Sequence, residues 1–293
     1  MNFSKLQGAG NDFILVDARE MKQDWQKLAQ SICHRHFGIG ADGLILVKNS
    51  NTADLKMRIF NPDGFEAEAC GNGLRCIIKY AIEKGIASTT NLNIETISGI
   101  RKAKAHISGN KVSLVDVSMG RPQFQPEQIP ITFTQPPPIK RGVAEEIEVK
   151  QPQMISDYPL VLEDRKLTLS VLSMGNPHAV SFLSVPVNNF PLAKVGPQVE
   201  RHTMFPRGTN FEIARVLSKG DIEARVWERG AGETLACGSG ACAIAVAAQL
   251  LGHIDKKVDI ILPGGTLTVF WDRVGEVLLT GPAEEVFSGE YCI

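Results

Sequence analysis

Two short segments carry residue types and spacing that could do chemistry: Cys70-Gly71-Asn72-Gly73 and Cys237-Gly238-Ser239-Gly240. In each, a cysteine stands just before a glycine-rich turn and an apolar run that reads as a helix. Unpaired N–H groups and the helix dipole at such an N-terminus favour negative charge, so this is a place where a thiolate forms easily and where a carboxylate can be cradled. One such cysteine is more often structural than catalytic. Two at equivalent positions of a duplicated chain are different. Placed on opposite sides of one α-carbon, one thiolate removes a proton from one face and one thiol returns a proton on the other, which is racemisation or epimerisation. The two environments must then differ, because one sulfur starts as base and the other as acid.

The duplication is visible without gaps. Arg58 to Gly73 (RIFNPDGFEAEACGNG) lies over Arg225 to Gly240 (RVWERGAGETLACGSG) at an offset of 167, matching Arg58 with Arg225, Phe60 with Trp227, Glu66 with Glu233 and Ala69-Cys70-Gly71 with Ala236-Cys237-Gly238. A near-equal offset brings Gly10-Asn11 onto Gly175-Asn176. Two halves related by a pseudo-two-fold axis follow as the expectation. The repeat also supplies the required asymmetry: Glu228 stands where the first half has Asn61, and His178 where it has Phe13 or a residue near it.

The elements that must position these residues read as many short strands and few helices. Alternating Leu55, Met57, Ile59 and Ile222, Ala224, Val226 predict half-buried strands. Leu44 to Val47, Val112 to Ser118, Leu167 to Ser173 and Thr266 to Trp271 read the same way. Helices are expected over Asp24 to Cys33, Leu74 to Ile82 and Ala241 to Leu251; the last two are apolar nearly all round, a pattern that requires burial on several sides. The expected fold class is therefore α+β, with two pseudo-symmetric domains, each a curled, barrel-like mixed or antiparallel sheet around a central helix. The first domain is expected over residues 1 to 120, completed by the tail 282 to 293, and the second over 121 to 281. Eight of sixteen prolines fall between Pro122 and Pro159, so residues 121 to 164 read as a proline-rich crossover of irregular or edge-strand structure.

Composition excludes several functions. At 293 residues the chain has length for two domains and a substantial core. With 31 Lys+Arg against 32 Asp+Glu, no basic field invites nucleic acid. Leu235 to Gly252 is uncharged but opens on glycines and leaves too few helical residues to span a bilayer, so no membrane partner is expected. No basic stretch leads into an apolar one at the start of the sequence, which points to the cytoplasm, where the six cysteines are expected as thiols. Gly38 to Gly43 satisfies the dinucleotide pattern G-x-G-x-x-G but precedes the strand LILV rather than a helix, so it is read as a turn. Cys33, His34 and His36 lack a second ligand pair, and no metal is expected. Cys76, Cys242 and Cys292 read as packing residues.

GAGNDF at the start, then EACGNGLRC, GNPHAV, RGTN and ERGAGETLACGSGACA in that order, resemble the diaminopimelate epimerase family over essentially the whole chain. The resemblance implies interconversion of LL- and meso-diaminopimelate, a step towards lysine and peptidoglycan, without pyridoxal phosphate or another cofactor. It implies Cys70 and Cys237 as catalytic acid and base, with His178 and Glu228 tuning their ionisation. It assigns the carboxylate at the reacting centre to Gly71, Asn72, Gly238 and Ser239, and the distal amino-acid end to Asn11, Asn61, Asn176, Asn210, Glu228 and Arg229. A guanidinium and several amides can select one handedness of a distal ammonium and carboxylate. The sequence departs from the pattern at Gly43, where some members carry a substrate-contacting Gln, and at Phe65, where a small Ser is common. Its proline-rich segment is also longer. A homodimer is implied as well, weakened by Phe287 where some members use Tyr. Competing readings are a related two-cysteine enzyme such as a proline racemase, which typically has His at the place of Asn72, a redox sensor pairing Cys70 with Cys237, and an amino-acid-binding module.

Overall fold

The computed structural model describes residues 1–67, 70–133 and 154–292. Its backbone divides into two compact units: residues 1–119, 264–268 and 278–293 form the first, and residues 120–263 and 269–277 the second. Among the described residues there are eighteen strands and four α-helices, and no helix is long and apolar enough to cross a membrane.

The first unit begins with strands β1 (Asn2–Gly8) and β2 (Asn11–Asp17), an antiparallel hairpin closed at Ala9-Gly10. Helix α1 (Trp25–Ile32) follows, capped by the Asp24 side chain on Lys27 N, and buries Trp25, Leu28, Ala29 and Ile32 on one face. Strand β3 (Gly43–Lys48) then runs parallel to β2, and β4 (Leu55–Phe60) antiparallel to β3. The Gly38 to Gly43 segment leads into β3, so it is a turn before a strand. After the short β5 (Glu66–Ala67) comes α2 (Gly71–Glu83), buried from Gly71 through Ala81. Strands β6 (Asn91–Thr96), β7 (Gly99–Ser108) and β8 (Lys111–Ser118) complete this stretch, β6 lying parallel to β4.

Strand β9 (Ile155–Val161) pairs with β10 (Lys166–Ser173), setting Pro159 opposite Thr168. Gln123 bridges to Ser173 from the other end of the proline-rich stretch. Pro136, Pro137, Pro138 and Pro152 lie outside the described residues.

From β10 onward the second unit repeats the first. Strand β11 (Pro177–Phe182) is antiparallel to β10, β12 (Asn210–Val216) is parallel to β11, and β13 (Asp221–Glu228) is antiparallel to β12. Then follow β14 (Gly232–Thr234), helix α4 (Gly238–Leu250) and β15 (Lys257–Leu262), parallel to β13 as β6 is to β4. The repeated Arg and Glu form the same ion pair in each unit: Arg58 Nε donates to Glu66 Oε1 at 2.7 Å and Arg225 Nε to Glu233 Oε1 at 2.8 Å. The chain continues through β16 (Gly265–Phe270) to β17 (Leu278–Gly281), which pairs with β8, and β18 (Glu284–Glu290), which pairs with β1.

Beyond the three helices expected from the sequence, a fourth, α3 (Leu192–Glu200), lies between β11 and β12. Gly196 and Pro197 inside it argue locally against a helix, since proline removes a ladder hydrogen bond and glycine costs backbone entropy. Packing overrides both. A Cβ at Gly196 would lie 2.4 Å from the Trp227 ring, so only glycine lets this helix approach β13, and Trp227 Nε1 donates to Glu200 Oε2 at 2.7 Å. The offset of 167 carries Trp25 onto Leu192; the repeat itself was the signal for α3.

Helix α2 is lined by β1, β2, β3, β4, β7, β8 and β18, and α4 by β10, β11, β12 and β15. Around α2 the core gathers Leu15, Ile45, Ile59, Ile77, Ile94 and Val115. The all-round apolar character of both helices has its reason here, and each buried helix presents its N-terminal turn, with a cysteine at the cap.

Candidate active site

In the first unit Cys70 is the half-buried N-cap of α2, extended at φ −110° and ψ 125°. Its Sγ donates to Asn11 Oδ1 at 3.6 Å, and the same oxygen accepts from Asn72 Nδ2 at 3.2 Å. Asn72 is held in turn by Arg75, whose Nη2 donates to Asn72 Oδ1 at 2.9 Å while its Nε donates to Pro282 O. Arg75 is fully buried. Gly71 opens the helix, where an added Cβ would lie 3.1 Å from Met119 Cε and 3.2 Å from Leu279 Cδ2.

Asn11 is oriented from behind by an ionic network. Its Nδ2 donates to Asp42 Oδ2 at 2.7 Å, Arg35 bridges Asp12 and Asp42, and Lys5 pairs with Asp12 at 2.5 Å and donates to Gly40 O. Burial alone would raise the Asp12 carboxyl; hydrogen bonds from Arg35 and Lys5 outweigh it and hold Asp12 well below the usual carboxylate range. None of Lys5, Asp12, Arg35 and Asp42 is singled out by sequence reasoning, because their shared role depends on β1, β2 and the turn before β3 meeting. Asn61 is not drawn into this group. It sits in an exposed turn, its N–H donating to Phe65 O and its carbonyl accepting from Gly64. Phe65 is exposed nearby. Gly43 begins β3 opposite Phe13.

In the second unit Cys237 is the buried N-cap of α4, its Sγ accepting from Gly240 N at 3.4 Å and lying 3.4 Å from Ser239 Oγ. Gly238 and Ser239 form the first turn of the helix, whose leading N–H groups have no intrahelical acceptor by geometry. Burial pushes the Cys237 thiol well above its ordinary pKa; the negative charges of Glu228 and Glu212 add to this, and the bonds from Ser239 and Gly240 only partly offset it. Glu228 ends β13 and accepts from Thr234 Oγ1 at 2.5 Å. His178 is fully buried, with Nδ1 2.7 Å from Glu212 Oε1 and Nε2 3.0 Å from Asn176 Oδ1. Asn210 is buried, donating to Pro177 O and accepting from Arg229 N, so both ends of its amide hold the chain around the site. The Arg229 guanidinium donates to Arg207 O.

Of the remaining cysteines, Cys33, Cys76 and Cys242 pack, whereas Cys292, expected from the sequence to pack, is exposed after the last strand. Burial pushes Cys33 and Cys76 up to about 12, and Cys242 is fully buried in α4. His34 Nδ1 accepts from the N–H groups of His36 and Phe37, so it closes a turn. Among the described residues no cluster of three or more His, Cys, Asp or Glu side chains could hold a metal ion.

The geometry gives each unit a cysteine at a buried helix N-terminus beside polar side chains. The family model described as diaminopimelate epimerase matches residues 3–125 and 170–286. This chain belongs to the diaminopimelate epimerase family. Proteins named diaminopimelate epimerase from Moorella thermoacetica and Pelotomaculum thermopropionicum are 46% and 43% identical to it over 294 residues, covering 99% of each chain. A third from Methanococcus maripaludis is 43% identical over 292 residues, also covering 99% of each. Solved structures extend the fold further. A Bacillus anthracis phenazine biosynthesis protein of the PhzF family matches with a TM-score of 0.70 at 19% identity, covering 100% of this chain and 99% of the other. A probable proline racemase from Agrobacterium radiobacter matches at 0.67 and 14% identity, covering 100% and 93%. The fold is α+β, that of the diaminopimelate epimerases, shared with these proteins.

Proposed function

We propose that the protein is a diaminopimelate epimerase, an isomerase that interconverts LL- and meso-diaminopimelate by proton transfer between Cys70 and Cys237. The supporting observation is the pair of cysteine N-caps on equivalent helices of a duplicated fold, in a chain that matches proteins of that name end to end. The reaction requires both sulfurs at one stereocentre. The thiolate on one face takes the α-proton, the electron pair passes into the substrate carboxylate, and the opposite thiol returns a proton to the other face. Charge building on that carboxylate is met by the first-turn N–H groups of α2 and α4, at Gly71-Asn72 and Gly238-Ser239. Asn11 orients the Cys70 thiol, while burial and Glu228 keep Cys237 protonated until needed, which supplies one base and one acid. Asn61, Asn176, Asn210, Glu228 and Arg229 are assigned to the distal end of the substrate. We further infer a cytoplasmic homodimer.

The fold alone suits a proline racemase equally well. Asn72, bonded to both Asn11 and Arg75, favours the diaminopimelate reading over relatives with His there. Reduced protein given LL-diaminopimelate in D2O, with no added cofactor, is expected to incorporate deuterium at one α-carbon and yield the meso form. Cys70→Ala and Cys237→Ala proteins are each expected to lose at least about a thousandfold in turnover, because one of the two proton transfers has lost its carrier. Normal turnover by both would overturn the mechanism.

A further inference from the structure

Glu212 is an unusual residue to find where it is. It lies in the middle of β12, fully buried, in a position that its strand pattern would give to an aliphatic side chain. One carboxylate oxygen, Oε1, faces His178 Nδ1 at 2.7 Å; the other, Oε2, is buried with no hydrogen-bond partner among the described residues. A buried carboxylate left half-satisfied costs stability, so its retention points to a task.

Its surroundings indicate which task. A Cβ added at Gly240 would meet Glu212 Oε1 at 2.9 Å and Cys237 Sγ at 3.4 Å. The carboxylate and the thiol therefore flank one point at the start of α4, and glycine at 240 is what lets them. The equivalent point in the first unit is built differently. At the offset of 167 the counterpart of Glu212 is Ile45, and Ile45 Cδ1 lies 3.0 Å from a Cβ built at Gly73. Strand register confirms the equivalence for His178: His178 pairs with Asn210 as Phe13 pairs with Gly43. At matching strand positions the first unit has Phe13 and Ile45, and the second His178 and Glu212.

Resting on the two-cysteine reading above, we propose that Glu212 is a positioning residue which, through a proton shared with His178, keeps Cys237 as the acid of the pair and so breaks the symmetry between two otherwise equivalent half-sites. The Asn176 side-chain oxygen Oδ1 accepts a hydrogen bond from the Nε2–H of His178, so a second proton of the pair sits between Nδ1 and Oε1. The Glu212 end of that bond lies against the cap of α4, so the negative charge of Glu212 is the part of the pair nearest the Cys237 thiol. Two thiols of equal acidity would present one thiol and one thiolate over only a narrow pH range; unequal surroundings widen it. The charged groups acting on Cys237 are Glu228 from β13 and Glu212 from β12, and His178 from β11 is bonded to Glu212. From β10, the residues Leu167 to Ser173 contribute no charged side chain, and Asp259 of β15 stands beside Asp221, at the opposite end of β13 from Glu228.

Thiolate absorbance tests this without turnover. The Cys237 titration is the difference between Cys70→Ala and Cys70→Ala/Cys237→Ala proteins, measured with Glu212 present and with Glu212→Gln. The substitution is expected to lower the Cys237 pKa by about one pH unit or more, because a nearby negative charge is removed. Glu212→Ile, which copies the first unit, gives the same direction by an independent route. With Cys70 restored, Glu212→Gln moves the alkaline limb of kcat/KM down and leaves the acid limb in place. A merely structural role would lower the melting temperature without moving that limb. An unchanged or raised Cys237 titration in both variants overturns the proposal. The titration stands whichever way the deuterium exchange falls, so failure of the epimerase reading remains distinguishable.

Discussion

Asn11 shows how much of the candidate site is made by residues one step removed from sulfur. Its amide oxygen accepts from Cys70 and Asn72, and its nitrogen is fixed by Asp42, which shares Arg35 with Asp12. Asp12 also neutralises the buried Lys5. Asp12→Asn is therefore expected to cost about 2 to 4 kcal/mol, since it leaves a buried ammonium short of its counter-charge. The pH dependence has a definite sign. The folded state depresses the Asp12 pKa below its unfolded value of about 3.9, so its contribution is complete above that value and is lost as pH falls towards the folded pKa. Urea unfolding at pH 7 and in the acid range should show the wild type losing its advantage over Asp12→Asn as pH drops. An advantage that persists undiminished in acid would contradict this account.

At the scale of elements, α3 is the sharpest case. Its sequence, LAKVGPQVE, carries both residues that disfavour a helix interior, yet Leu192, Val195 and Val199 are buried and Gly196 admits the Trp227 ring. Opposing principles predict opposite signs for Gly196→Ala. Helix propensity alone predicts stabilisation by about 0.5 to 1 kcal/mol. A methyl group driven into the Trp227 ring predicts destabilisation by about 1 to 3 kcal/mol. The contact wins, because an indole held by a bond to Glu200 cannot retreat cheaply. A lowered urea midpoint with unchanged m-value, read from tryptophan fluorescence, is the expected result; a raised midpoint would contradict it. The other three helices were legible because their signals are local: an Asp24 cap before an apolar stripe in α1, and a Cys-Gly-x-Gly turn before a uniformly apolar run in α2 and α4.

Across the whole molecule, the two ends of the chain meet in one sheet. Met1 and Tyr291 exchange backbone hydrogen bonds at 2.9 Å, β18 runs along β1, and Phe287 meets Phe3 edge-to-face at 5.9 Å. Removing residues 284–293 takes away one partner of β1 and uncovers Phe3, leaving an open strand edge. A loss of about 3 kcal/mol or more is expected from the hydrogen bonds and the ring contact together. Differential scanning calorimetry should show a lower transition temperature for the shortened chain, and an unchanged one would mean that β18 is only draped on the surface.

The sequence by itself determined the duplication, the helical caps that carry both cysteines and the strands around them, because each rests on spacing and on patterns that neighbouring residues share. Family membership was legible for the same reason, in motifs that span the chain. Tertiary structure alone decided what stands behind the sulfurs. A buried Glu212 between His178 and Gly240 looks like any strand glutamate until β11, β12 and α4 are brought together, and Lys5, Asp12, Arg35 and Asp42 become one network only when separate segments converge. Burial and proximity set charge at a site, and neither is written in the order of residues along one strand.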